Sequence, residues 1–195
     1  MLWVDEMLGY NITKWPPDPS HRHPTMTSQT ASVISRFLPS THDHSRCIET
    51  ALERAAAICD LRRLRLTPIR LRVLELIWRS HAPIGAYAIL GQLARDGHKA
   101  MPPTVYRALE FLSSASLVHR LDSLNAYIGC GDPGEVHSGQ FFICHKCESV
   151  AEIHDRATTG LFARQADTLG FHIEGSHIEI SGLCSRCEKK ESLSG

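Results

Sequence analysis

The stretch PPTVYRALEFLSSASLVHRLDSLNAYIGC (residues 102–130) decides which fold we expect for the middle of the chain. Its first part starts with two prolines, as many helices do, and Val105, Leu109 and Leu112 recur at helical spacing on one face. Its second part, VHRLDSLNAYIG, is typical of two short strands around a turn at residues 122–125. A helix followed at once by a β-hairpin predicts the recognition helix and wing of a winged helix-turn-helix.

The sequence upstream predicts the remaining helices of this motif. A helical pattern begins at Arg46, and a second helix begins in LTPIRLRVLELIWRS, where Thr67 is the expected N-cap and Pro68 the first helical residue. A third helix is predicted in GAYAILGQLARDG. The second, third and fourth helices plus the hairpin would form a winged-helix DNA-binding domain, which we place over residues 46–130.

The two ends of the chain differ from this middle. Residues 1–45 are dominated by Pro, Ser, Thr and His without an apolar period, which predicts a disordered tail. Beyond Gly131, GQFFIC and VAEI alternate like a hairpin, TTGLFARQADTLG is typical of a helix, and FHIEGSHIEISGLC of strands. We therefore predict a linker or hinge at residues 131–138 and a small α/β dimerisation domain at residues 139–190. The fold class expected for the whole chain is α+β.

Composition narrows the class of protein. Residues 46–121 carry a net charge of +6 and residues 122–195 a net charge of −5, so a basic module suited to a polyanion precedes an acidic one. An accidental charge dipole between two solvated surfaces is the alternative. No apolar segment reaches about 18 residues, so we expect no membrane span. Asp5 and Glu6 stand where a secretion signal needs basic residues.

Four of the seven cysteines stand in two Cys-x-x-Cys pairs, and this spacing predicts metal binding. Two thiolates two residues apart can bind one tetrahedral ion from a single turn, and a second pair completes a four-cysteine zinc site. A redox role is the alternative, but ESVAEI after the first pair is typical of a strand, whereas a reactive thiol needs a helix N-terminus. Reduced thiolates indicate the cytoplasm. The predicted structural zinc ligands are Cys144, Cys147, Cys184 and Cys187.

The segments RLTPIRLRVLELI, PPTVYRALEFL, ICHKC and LCSRC, in this order and spacing, resemble the ferric uptake regulator family, and most of all its zinc uptake regulator branch. The resemblance covers roughly residues 47–188. It implies a homodimeric, metal-dependent transcriptional repressor with an N-terminal winged helix and a C-terminal dimerisation domain. A dimer implies a pseudo-palindromic operator in double-stranded DNA.

The resemblance also implies a regulatory metal site. Iron-sensing members carry a His-His-Asp-His run before the first cysteine pair, and residues 138–141 (SGQF) cannot supply those ligands. The positions that match the ligands of zinc-sensing relatives are His119, Cys130, His137 and Glu152. Two imidazoles, one thiolate and one carboxylate make a closed zinc site with less ligand charge than four thiolates. We therefore expect two Zn²⁺ ions per protomer, one structural and one regulatory.

The fourth helix carries the expected DNA contacts. Arg107 is placed to bond guanine, and the alternative is an ion pair with Glu110. Tyr106 is expected at a thymine methyl or a phosphate, unless it packs on the helix surface. Further contacts are expected from Thr104 and from Tyr87, which resembles a family contact. Expected phosphate anchors are Arg65, Arg70, Arg72 and Lys99.

Three functions remain open at this point. The first is a zinc-responsive repressor of zinc uptake genes with zinc as co-repressor. The second is a sensor of iron, nickel or manganese from the same family. The third, an enzyme, is disfavoured because no HExxH or open three-ligand motif occurs, and we expect no small-molecule substrate. His172, His177 and Glu179 would form either a further metal site or a surface strand.

Overall fold

The computed structural model describes residues 31–37, 44–79, 82–134 and 139–192. These residues form a mixed α+β structure, as predicted. The elements in chain order are β1 (Ala31–Ser35), α1 (Ser45–Leu61), α2 (Pro68–Trp78), α3 (Ala86–Arg95), α4 (Pro102–Ser114), β2 (Val118–Leu121), β3 (Ala126–Gly129), β4 (Gln140–Cys144), β5 (Val150–Asp155), α5 (Arg156–Leu169), β6 (Ile178–Gly182) and α6 (Ser185–Ser192).

Helices α1 to α4 and the β2–β3 hairpin enclose one apolar core. Leu74 and Ile77 of α2, Leu93 of α3 and Leu109 and Leu112 of α4 are almost fully buried there. The α4 residues are those whose spacing predicted the helix. Thr67 is the N-cap residue of α2, but its side chain makes no capping hydrogen bond, so Pro68 is the clearer local signal for the start of this helix.

The second unit is a four-stranded sheet with the order β1-β5-β4-β6. Strands β4 and β5 pair antiparallel as the predicted hairpin, and β6 returns parallel to β4 after the crossover through α5. Asp155 is the N-cap of helix α5, and its carboxylate accepts the N–H groups of Ala157 and Thr158. Gly170, with a φ of 63°, is the C-cap.

The structure corrects the sequence prediction at three places. Residues 31–35 form β1 rather than part of a disordered tail, because their backbone pairs with the edge of β5. Most of the segment 171–184 is not strand, since only Ile178–Gly182 pairs with a neighbour. The second cysteine pair enters helix α6, which we did not predict. Residues 1–30 and 38–43 of the predicted tail and residues 135–138 of the predicted linker lie outside the described residues.

The membrane prediction can be examined for the described helices. None of them is long and apolar enough to cross a bilayer.

Trp78 packs directly on Gly129, and this contact ties the wing to α2. A Cβ added to Gly129 would lie 2.2 Å from the indole ring of Trp78. We predict that Gly129→Ala lowers the free energy of unfolding by about 1–3 kcal/mol because the indole must shift within a packed core. Gly91→Ala in α3 is the matched control, because a Cβ there meets open space. The control should raise stability by about 0.5–1 kcal/mol. Urea denaturation measures the free energy of unfolding of both variants. Equal changes in the two variants would contradict this account.

Candidate metal centres and DNA-binding surface

The four cysteines of the two pairs converge on one point of the small domain. Cys144 ends β4, Cys147 follows in the turn, and Cys184 and Cys187 stand at the start of α6. Their four sulfur atoms all lie within 4.8 Å of one another. None of the seven cysteines forms a disulfide. The convergence of both pairs favours a shared metal clip over two separate redox pairs.

The geometry and electrostatics of this cluster fit a tetrahedral zinc ion. A Zn–S distance of about 2.3 Å places the sulfurs of such a site about 3.8 Å apart, and the Cys147 and Cys184 sulfurs are 3.8 Å apart. Burial raises the pKa of Cys144, but backbone N–H donors of Cys184, Cys147 and Lys146 outweigh it and lower that pKa to about 6. Burial and the neighbouring sulfurs raise the pKa of Cys187 to about 12. The crowded sulfurs therefore need a cation before all four can be thiolates.

A second cluster joins the two domains of the chain. His119 lies on β2, Cys130 directly follows β3, and Glu152 lies on β5. One donor atom from each falls within 4.8 Å of the others, and His119 Nε2 lies 3.1 Å from Glu152 Oε1. All three side chains are buried, with relative exposures of 6%, 1% and 2%. The fourth predicted ligand, His137, lies outside the described residues.

The chemistry of these three residues also fits zinc. Burial and the nearby Glu152 carboxylate raise the pKa of Cys130 to about 12, so its thiol is neutral at pH 7 without a cation. The Glu152 carboxylate also accepts the backbone N–H of Gly131 at 3.4 Å. Imidazole, thiolate and carboxylate are the donors that zinc takes in four-coordinate sites. Burying these three side chains together costs free energy unless a bound cation compensates the negative charge of the thiolate and the carboxylate.

Glu179 forms another contact between the domains, which the sequence did not predict. Its carboxylate, on β6, accepts the backbone N–H of Asp122 at 2.7 Å and that of Ser123 at 3.1 Å, and also the Ser123 hydroxyl. Burial raises the pKa of Glu179, but these bonds outweigh it and lower the pKa below its usual value. The carboxylate thus stabilises the contact above its ordinary pKa, and the contact is lost as pH falls through the lowered one.

The Glu179 carboxylate therefore holds the turn of the wing. This favours a structural role for Glu179 over a further metal site. Within the described residues, His119-Cys130-Glu152 and the four cysteines are the clusters with metal-ligand geometry. His172 and His177 join neither of them.

Three of the four predicted DNA-reading residues of helices α3 and α4 are exposed. Tyr87 of α3 and Tyr106 of α4 are 75% and 47% exposed, and both line a small cleft between the two helices. Arg107 is exposed beside Tyr106, and Thr104 is half-buried one turn earlier. Among the described residues no ion pair joins Arg107 to Glu110. The ion pair that was the alternative role for Arg107 is therefore not formed among these residues.

The predicted phosphate anchors differ in how they are held. Arg65 and Lys99 are exposed. The guanidinium of Arg70 lies 3.6 Å from the centre of the Phe111 ring and donates to the Arg65 carbonyl, so packing orients it.

Arg72, another predicted phosphate anchor, forms ion pairs within the protein. Its guanidinium pairs with Glu75 at 2.7 Å and with Asp96 at 2.6 Å, and hydrogen bonds to both carboxylates raise its pKa. We no longer expect Arg72 to contact phosphate, because its charge is already matched within the protein.

Fold and clusters together define a winged-helix protein with two candidate metal centres. The chain belongs to the ferric uptake regulator family, whose family model matches residues 62–181. The family consists of dimeric DNA-binding transcription regulators rather than enzymes, which confirms the family, the fold class and the absence of an enzymatic role that the sequence predicted.

Relatives within the family are named for zinc. The zinc uptake regulation protein of Escherichia coli K12 is 38% identical over 144 residues, covering 72% of this chain and 83% of the relative. A zinc uptake regulator complexed with zinc and DNA matches with a TM-score of 0.71 and 37% identity, over 74% of this chain and 97% of that one. The holo form of XcZur matches with a TM-score of 0.68 and 38% identity, over 72% and 98% of the two chains.

The Glu179 contact leads to a prediction about the wing. Glu179→Ala removes the acceptor of two backbone N–H groups, so we predict about tenfold faster hydrogen exchange at the amides of Asp122 and Ser123. Glu174→Ala removes an exposed carboxylate from the segment between α5 and β6. It is the control and should leave the exchange rates of both amides unchanged. Exchange followed by NMR measures this. Unchanged protection in Glu179→Ala would mean that the carboxylate does not hold the turn.

Proposed function

We propose that this protein is a zinc-responsive DNA-binding transcriptional repressor of zinc uptake genes, with zinc as its co-repressor. The observation that carries the proposal is the buried His119-Cys130-Glu152 cluster, whose members come from both the wing and the dimerisation sheet. The relatives named above support zinc as the metal. Residues 46–130 would form the DNA-binding domain, residues 131–138 the hinge and residues 139–190 the dimerisation domain.

Each protomer would hold two zinc ions with different tasks. Cys144, Cys147, Cys184 and Cys187 all belong to the small domain, so a metal there joins its two ends and supports its folding. His119, Cys130 and Glu152, with His137 as the proposed fourth ligand, would form the regulatory site. The regulatory ligands carry a charge of about −2 against −4 for four thiolates, so the regulatory site should empty first as zinc falls.

The regulatory residues couple metal binding to the arrangement of the domains. Zinc bound there would supply the positive charge that makes the buried thiolate and carboxylate compatible at one point. His119 and Cys130 belong to the winged helix, whereas Glu152 belongs to the sheet. The donor atoms can therefore meet only in one relative orientation of the domains, and a ligand that binds only that orientation shifts the population towards it.

An apolar surface on the small domain supports homodimer formation. Leu161 and Phe162 of α5 are 45% and 41% exposed, and Leu169 at its end is 80% exposed. Phe171 and Ile180 nearby are 65% and 44% exposed. Exposed apolar residues in this number mark a protein interface. Burial against a second copy would place two recognition helices on the two halves of a pseudo-palindromic operator.

A sensor of iron, nickel or manganese is the alternative within the family. The Cys130 thiol argues against it, because thiolates favour zinc over harder metals that prefer oxygen and nitrogen donors. Residues 138–141 also lack the histidines that iron-sensing members carry before the first cysteine pair. We place the protein in the cytoplasm, where reduced thiols persist and its DNA target lies.

A zinc-buffered DNA-binding titration tests the proposed function. We predict that His119→Ala retains one zinc per protomer and its fold but loses the zinc-dependent gain in operator affinity, because the winged helix no longer contributes its imidazole. Cys147→Ser should instead lose folded protein, since it removes a ligand of the clip within the small domain. Fluorescence anisotropy measures operator binding, and metal analysis measures the zinc content per protomer. Wild-type affinity that is unchanged across the zinc range would contradict zinc sensing.

Arg107 provides a test of base reading. Arg107→Ala should weaken operator binding by about 1–3 kcal/mol and relax the preference for guanine at one position of each half-site. Arg156→Ala, which removes the same charge from the start of α5, is the control and should change affinity little. Binding measured on operator variants distinguishes the two effects. A loss of affinity that is uniform over all sequences would assign Arg107 to phosphate instead.

A further inference from the structure

Strand β1 lies outside the family domain and packs on it. The family match begins at residue 62, whereas β1 spans Ala31–Ser35. The strand pairs antiparallel with β5, from Ala31 opposite Asp155 to Ser35 opposite Glu152. A segment that precedes the family domain therefore covers the edge strand that carries the regulatory carboxylate.

The pairing is interrupted next to the regulatory cluster. The register of β1 shifts between Val33 and Ser35, which leaves Ile34 as the extra residue of a β-bulge. Bulges redirect a side chain out of the regular alternation. The Ile34 side chain lies against Gly131, where an added Cβ would be 2.7 Å from the Ile34 Cγ2 and 3.7 Å from Glu152 Oε2. Ile34 thus lies against the residue after Cys130, at the glycine whose backbone N–H bonds the Glu152 carboxylate.

Ser35 and Phe37 extend this contact. The backbone N–H of Glu152 donates to Ser35 Oγ at 3.0 Å, which fixes the backbone of the ligand residue itself. Phe37 packs against the buried cluster of Cys144, Cys184 and Cys187. Ile34, Ser35 and Phe37 therefore touch the surroundings of the two proposed metal centres.

We propose that Ile34 and Ser35 are positioning residues of the regulatory metal site, supplied by a strand outside the family domain. Ser35 holds the backbone of Glu152, and Ile34 closes the site beside Gly131 and excludes water from the carboxylate. A metal ion then leaves the site only after this strand has lifted from β5. The proposal rests on the proposed function insofar as His119, Cys130 and Glu152 bind zinc.

Zinc release from the full-length protein tests the proposal without DNA. Protein loaded with two zinc ions per protomer is mixed with excess 4-(2-pyridylazo)resorcinol, and the two release phases are followed by absorbance. Ile34→Ala removes three carbon atoms of a half-buried side chain and should speed the faster phase by about tenfold. The slower phase, from the four cysteines, should be unchanged. Ser35→Ala should speed the same phase.

Two further variants separate positioning from general stability. Val33→Ala is the matched control, because Val33 stands on the same strand and is 52% exposed. Ile34→Val should restore most of the wild-type rate. Equal release rates in Ile34→Ala and Val33→Ala, or a lowered thermal midpoint with unchanged release, would overturn the positioning role alone. Wild-type protein that binds a single zinc ion per protomer would overturn the regulatory site, and the positioning role with it.

Discussion

The contact of His119 with Glu152, 3.1 Å between Nε2 and Oε1 and buried on both sides, is the constraint on which the rest of the structure depends. Cys130 lies at the same point with a pKa raised to about 12. Burying an imidazole, a thiol and a carboxylate together costs free energy that packing alone does not return. A bound cation would offset this cost, and because the three residues come from two domains, it would do so only when those domains adopt one arrangement.

The two metal clusters differ in what they connect. The four cysteines lie between the end of β4 and the start of α6, both within the small domain, so a metal there would secure a fold. The mixed cluster lies between β2, β3 and β5, so its metal would secure an orientation. The bonds from the Asp122 and Ser123 amides to Glu179 reinforce that orientation from the wing side. In the proposed function, the four-cysteine site would support the fold and the mixed site would support the response to zinc.

Local signals made much of this structure predictable. Prolines at the starts of α2 and α4, helical spacing of Leu109 and Leu112, and the hairpin turn specify the winged helix from neighbouring residues alone. The spacing of the two cysteine pairs likewise predicted that they belong to one site. Strand β1 was not, because its Ser-rich segment forms a strand only by pairing with β5. Glu179 was missed for the same reason, since its hydrogen-bond partners lie 56 and 57 residues away.

The most direct test of this account is the relative orientation of the two domains as a function of zinc, measured by residual dipolar couplings in the full-length protein. With one zinc per protomer, the winged helix and the small domain should report different alignment tensors, because the regulatory donors no longer hold them together. With two zinc ions per protomer, both domains should report a single common tensor. A common tensor at both zinc contents would contradict the claim that the regulatory site fixes the domains.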